Sequence, residues 1–270
     1  MESPSPSCLN PAYPAPQYPH SAAAKYFGDG STPESECYLR KLDFAYIRAY
    51  RKVYWAQVVI QAVFALPPDV RERAWEIDYS PDIPVQHRTS FTGTGSNVFS
   101  MRTYLTRYDL GRAGRSLYVV QALFYLFYKG LLGFKADGGS DGGKCSFGTG
   151  YVAHTHGSWV YICWKHFKDS TTERLSDTIV HEFLHHVWGV DDQPYAPDPK
   201  NKAYGREAAR VLAEHSKLLA INNIDNYGSW ISGISGMWQV QLNRCGNLKT
   251  LSKDGKTYVF NKQKLKYDVQ

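Results

Sequence analysis

The chain has little cysteine and no paired-cysteine spacing: Cys8, Cys37, Cys145, Cys163 and Cys245 are scattered over 270 residues. Without a CxxC element, a structural zinc knuckle is not expected. Long apolar runs are also missing. The longest, LYVVQALFYLFYKGLLGF (Leu117–Phe134), is broken by Gln121, Lys129 and two glycines. A membrane span needs about 20 mostly apolar residues, so this stretch reads as a core helix and no span is expected. The opening MESPSPSCLNPAYPAPQYPH contains neither a basic leader nor an apolar stretch, and no classical secretory signal is read there. A one-sided charge stripe is missing too. The net charge is +6, and seven Lys/Arg against two Asp fall in Met237–Gln270. That is a solvated basic tail, so no nucleic-acid partner is expected. The glycines of KADGGSDGGKCSFGTG lack the following Lys-Ser/Thr of a phosphate loop and read as a connection.

What is present is a folded-protein composition, 43% hydrophobic and 14% aromatic. Residues 1–36 are low in complexity and punctuated by proline, and read as a flexible arm. In Tyr38–Leu66, Leu42, Tyr46, Ala49, Val53, Ala56 and Ile60 recur at steps of three and four. This predicts a long amphipathic helix, ended by Pro67-Pro68, with its Lys and Arg on the solvated face. Signals from Arg71 to Arg115 are mixed, with one helix near VFSMRTYLTRY. GYVAHTHGSWVYICW alternates as two strands around a His-Gly turn. It brings His154 and His156 two apart; beside a turn, such a pair reads as polar surface before it reads as a ligand pair. Cys145 and Cys163 flank this hairpin and are the candidate disulfide. STTERLSDTIVHEFLHHVWG follows as a helix with a capping-box pattern, Ser170 to Glu173, and Gly189 as terminator. Tyr204–Ala220 is a second helix, a third begins near NNIDNYGSW, and Asp254-Gly255 lies in a C-terminal β-hairpin. The pattern is α+β and mainly helical, with a small β-hairpin or sheet before the HExxH helix. Its organisation is an arm (1–36), a domain (37–236, with a helical part 37–140 and a catalytic part 141–236) and a basic hairpin extension (237–270).

The chemistry gathers in HEFLHHVWGVDD, His181–Asp192. Residues four apart on a helix differ by about 400°. His181 and His185 therefore share a face, and Glu182, about 100° round, can reach a water on an ion they hold. His186 points away from that face and reads as structural or surface-exposed. A catalytic zinc needs a third protein ligand, and three arrangements compete. A Glu on the following helix would be Glu207 or Glu214. A metzincin-type spacing would use Asp191, but puts Trp188 where a tight turn needs glycine. A spacing counted from Gly189 would use Asp192.

HEFLH, then GVDDQPYA, then YGREAARVLA, then AINNIDNYGSW resembles, in that order, the aspzincin (deuterolysin-like, peptidyl-Lys) zinc metalloendopeptidases over about residues 145–230. That family carries HExxH, a Gly-Thr-x-Asp-x-x-Tyr-Gly segment, and a helix leading to an Asn-x-Asp-Asn motif. KCSFGTGYVAHTHGSWVYICW is similar to its cysteine-bounded hairpin. The resemblance implies a zincin-like metallopeptidase domain and one Zn2+ per chain on His181, His185 and Asp192. It implies Glu182 as general base, Tyr195 or Tyr204 as the family's catalytic tyrosine, and Asp225 near the substrate pocket. Val190 replaces the family threonine. Gly228 stands where lysine-specific members carry an acid, so strict lysine preference is not implied. The expected partner is a protein or peptide substrate, with a secretion machine or an inhibitor protein as further partners. Family habit suggests an exported effector or toxin, cytoplasmic before export. The competing readings are a gluzincin-type peptidase and a non-catalytic binding or delivery module with a degenerate HExxH.

Overall fold

The computed structural model describes residues 33–76, 100–138, 144–145, 152–195, 197–242, 248–253, 255–261 and 266–270. The arm as far as Thr32, most of the Gly-rich connection, Cys8 and Cys245 lie outside them. The described chain is mainly helical with small sheets, an α+β architecture. In order it runs α1 (Pro33–Phe64), α2 (Pro68–Glu76), α3 (Met101–Leu105), α4 (Leu110–Lys129), β1 (Gly133–Asp137), β2 (Ala153–His156), β3 (Trp159–Cys163), α5 (Trp164–Asp169) and α6 (Thr172–Leu184). It continues with β4 (Pro194–Tyr195), β5 (Asp198–Lys202), α7 (Gly205–His215), α8 (Lys217–Ala220), α9 (Ile224–Leu242), β6 (Leu248–Lys253), β7 (Lys256–Asn261) and β8 (Lys266–Val269). No helix among the described residues is long and apolar enough to cross a membrane. The chain divides into two compact units, one of residues 14–53 and 121–190, the other of 1–13, 54–120 and 191–270.

The first unit holds the HExxH helix α6. Its core is aromatic. Tyr46 of α1, Phe127 of α4, Phe134 of β1 and Phe183 of α6 are all within 1% of full burial. Phe127 stacks on Phe183 at 4.0 Å between centroids, and Tyr46 meets Phe134 edge-on at 5.9 Å. Tyr46 donates its hydroxyl hydrogen to the Phe127 carbonyl at 2.6 Å, which satisfies the one polar atom this cluster buries. The predicted stripe of α1 is the buried face: Leu42, Tyr46, Ala49, Val53, Ala56 and Ile60 are each at most 1% exposed. Its basic residues are not all solvated, however. Lys52 is 3% exposed and pairs with Asp177 at 2.6 Å and with the Glu173 carboxylate, both on α6.

The small sheet has order β1-β3-β2, with β1 parallel and β2 antiparallel to β3. The β2–β3 hairpin turns at Gly157, whose φ is +56°. β1 corrects the reading of the stretch before Cys145 as connection alone: Lys135, Ala136 and Asp137 are strand. A strand that pairs in parallel with a partner more than twenty residues away leaves no local hairpin signature. At its start, a Cβ on Gly133 would lie 2.5 Å from the Trp159 ring, so only glycine lets the indole lie flat there. The disulfide Cys145–Cys163 ties the connection to the end of β3. Thr171, not Ser170, caps α6, accepting from the Arg174 amide; the Ser170 hydroxyl is bonded to His166 instead.

The second unit is built round buried asparagines. Asn226 donates to the Tyr104 carbonyl at 2.6 Å and to the Ala209 carbonyl at 2.8 Å, linking α9 to α3 and α7. Tyr227 donates to the Ile221 carbonyl at 2.8 Å. Trp75 of α2 donates to the Thr106 carbonyl at 2.9 Å. Pro68 opens α2, its missing amide harmless at a first helical position, so the Pro-Pro pair that ends one helix begins another. The predicted helix from Tyr204 to Ala220 is two, separated at Ser216. The C-terminal segment is an antiparallel sheet of order β6-β7-β8 rather than a hairpin. Gly255, between β6 and β7, has φ +75°; Asp254 of the expected Asp-Gly turn lies outside the described residues. The four-residue β8 is too short to announce itself by alternation.

Candidate metal centre

The helix α6 positions the two histidines. Leu175, Ile179 and Phe183 are fully buried and Val187 is 3% exposed, so one stripe is fixed in the core. His181 and His185 then emerge half-buried at its edge. His185 sits at the helix C-cap yet keeps helical dihedrals, φ −58° and ψ −20°, so the one-turn relation to His181 survives. The two rings are 5.3 Å apart between centroids and inclined at 76°. Two imidazoles bound to one tetrahedral ion at about 2.0–2.1 Å place their ring centres roughly 5 Å apart. The pair fits that requirement. Glu182, between them in sequence, is only 3% exposed. His186 is half-buried, and burial with the neighbouring His185 lowers its pKa.

Beyond Leu184 the chain folds back in tight turns: the amides of His186, Val187 and Val190 donate to the carbonyls of Phe183, Leu184 and Val187. Gly189 supplies the left-handed residue there, with φ +71°. The helix itself has already ended at Leu184, so Gly189 shapes the following turn instead of terminating α6.

The remaining candidate residues, from Asp191 on, belong to the second unit. There the loop carrying both aspartates is pinned from α9. Asp191 bridges to Asn223, its amide donating to the Asn222 carbonyl at 2.9 Å. Asn223, 1% exposed, accepts from the Gln193 amide at 2.9 Å and donates to Asn226 at 2.7 Å. The two aspartates have different surroundings. The exposed Asp191 turns its Oδ1 back onto the Asp192 amide at 2.7 Å. The half-buried Asp192 accepts from the Tyr204 hydroxyl on Oδ2 at 2.8 Å, and its carbonyl accepts from Lys202 Nζ at 2.7 Å. A carboxylate oriented by an outer hydrogen-bond donor is the usual arrangement round a metal ligand. The Asp191 side chain is turned back on its own loop, onto the Asp192 amide.

The two candidate tyrosines are placed differently. Tyr204, 56% exposed, bonds Asp192. Tyr195 packs against the cluster of Ala203, Leu212, Ala213 and Ala220. Glu207, a rival ligand, is paired with Arg210 at 2.7 Å, and Glu214 is exposed. Asp225 lies half-buried in the first turn of α9. The residue preceding that helix is Asn223, so Asp225 is not its N-cap. His156 is exposed, and His154 is bonded to Asp137 at 3.1 Å. Sequence reasoning missed Lys202 and Asn223. The first had no signal, and the second stood inside a motif valued for its aspartate.

No protein-family model matches the chain. No curated protein matches it either. Among solved structures, a zinc peptidase from Grifola frondosa is similar, at 17% identity and a TM-score of 0.41, over 71% of this chain and 94% of that one. At that level of likeness the functional reading rests on the chain's own residues.

Proposed function

We propose that this chain is a zinc-dependent endopeptidase, with His181 and His185 as zinc ligands and Asp192, from the resemblance to the aspzincins, as the third. The observation that carries the reading is the pair of half-buried imidazoles one helical turn apart, rings 5.3 Å apart, with a buried glutamate between them. Asp192 is the favoured third ligand because Tyr204 orients its carboxylate, while Glu207 is engaged with Arg210. Two neutral nitrogens and one carboxylate are a donor set that suits zinc.

Zinc held by these residues would supply Lewis acidity for peptide hydrolysis. Glu182 takes the proton of the attacking water and hands it to the leaving amine. Tyr204 fixes the orientation of Asp192. Tyr195 braces the β4–β5 turn against its apolar cluster, and Asp225 is the proposed contact for a substrate side chain. The disulfide Cys145–Cys163 supports an oxidising compartment and so an exported protein.

The test is Glu182→Gln, assayed on a mixed peptide library with and without a zinc chelator. The variant is expected to keep stoichiometric zinc and to lose peptide hydrolysis by roughly 10²–10⁴-fold, the scale of general-base catalysis. Wild-type protein purified without zinc, or chelator-resistant cleavage, would sink the reading.

A further inference from the structure

We infer a second, redox-gated metal site in the three-stranded sheet, formed by Asp137, His154 and the cysteines 145 and 163. It uses none of the residues of the proposed peptidase site and stands or fails separately. Asp137 at the end of β1 is the register partner of Cys163 at the end of β3. His154 on β2 brings Nε2 to 3.1 Å from Asp137 Oδ2. Its ring is held flat against Tyr161, centroids 4.8 Å apart and planes within 4°. Donor atoms of Asp137, Cys145 and His154 all lie within 4.8 Å of one another, and Cys163 is covalently joined to Cys145. The other imidazole nitrogen, His154 Nδ1, is buried without a hydrogen-bond partner among the described residues.

A disulfide sulfur is a poor ligand; the thiolate is the one that binds. As long as the bond is intact, the cluster offers one imidazole and one carboxylate, too few for a structural site. Reduction by a phosphine changes this. The S–S bond accepts two electrons and two protons to give two thiols, and the phosphine becomes its oxide with oxygen from water. Zinc binding then releases both thiol protons and leaves two thiolates, one nitrogen and one oxygen, a tetrahedral donor set. Ligand atoms on such an ion are roughly 3.3–3.8 Å apart, so shifts of about an ångström close the cluster. Cys145 is half-buried, which leaves it accessible to a small reductant. The disulfide and the ion are thus alternative cross-links between the same connection and the same strand, one for oxidising and one for reducing surroundings.

The experiment uses the full chain, oxidised or reduced with a phosphine, each equilibrated with zinc and desalted. Elemental analysis is expected to show one more zinc per chain after reduction, with circular dichroism unchanged. Asp137→Ala/His154→Ala, which leaves the disulfide intact when oxidised, is expected to lose that increment. With cobalt in place of zinc, a sulfur-to-cobalt charge-transfer absorption is expected only after reduction. Three results would overturn the inference: no increment in the reduced wild-type chain, an increment retained by the double variant, or no sulfur-to-cobalt absorption. Unfolding of the reduced chain in the presence of zinc would overturn it as well, since the ion is expected to replace the lost cross-link.

Discussion

The Tyr204 hydroxyl donates to Asp192 Oδ2 across 2.8 Å, from a side chain that is more than half exposed. Its ring contributes little to the core, so its removal separates orientation of the carboxylate from stability of the fold. Tyr204→Phe is expected to weaken zinc binding by roughly 10–100-fold, the usual effect of deleting an outer hydrogen bond to a ligand, with an unchanged unfolding midpoint. Competition against a chelator measures it. A loss smaller than twofold would show that Asp192 needs no such support.

Asn223 acts one step further back. Its side chain accepts from Gln193 and donates to Asn226 and to the Ala203 carbonyl, and it is buried. Asn223→Ala strands polar groups in the interior, at a cost of about 1–3 kcal/mol for the uncompensated desolvation, and frees the loop that bears Asp192. Denaturant midpoint and zinc affinity are expected to fall together, unlike in Tyr204→Phe. Unchanged zinc affinity in a destabilised variant would place the pinning of the loop outside the metal site.

These two contacts show where the sequence was legible. The HExxH helix was readable because its period, its apolar stripe and the one-turn spacing of its histidines are all local. The β2–β3 hairpin was readable for the same reason, since Gly157 lies at its turn. The bond from Tyr204 to Asp192 spans a β-hairpin of proline, lysine and asparagine with no apolar pattern, and nothing in the eleven intervening residues announces it. Lys52 was misplaced because a helical wheel knows only its own helix: the acidic partners are more than 120 residues away. The α6 cap was displaced by one residue because the Ser170 hydroxyl has a competing partner in His166, four residues back on α5, and capping-box spacing looks only forward along the chain.

The Lys52 pairing makes its own prediction. The lysine is 3% exposed, whereas Glu173 and Asp177 are 48% and 41% exposed, so the carboxylates can regain water and the ammonium cannot. Losing one acid leaves Lys52 its other partner. Glu173→Gln and Asp177→Asn are each expected to cost under about 1 kcal/mol, close to a surface pair. The double variant strands a buried charge and is expected to cost clearly more than the sum of the two, a coupling of about 1–3 kcal/mol by double-mutant cycle. Additive effects would mean that Lys52 finds water without them.

His166 predicts an acid-side loss of stability. Its ring is bonded to the Thr178 and Ser170 hydroxyls. Burial, then the charges of Arg174 and Lys41, lower its pKa, against a smaller opposing pull from Asp169. The folded chain thus takes up this proton less readily than the unfolded chain, whose histidines titrate near 6.5. The contribution is fully present above about pH 6.5 and is lost as the pH falls towards the lowered value. Between the two pKa values the slope approaches one proton, at most about 1.4 kcal/mol per pH unit. His166→Gln removes the titration and keeps a hydrogen-bonding side chain. Its stability relative to wild type is therefore expected to improve from pH 7.5 to pH 5.5, measured by urea unfolding. A difference that does not change with pH would show that the imidazole titrates alike in both states.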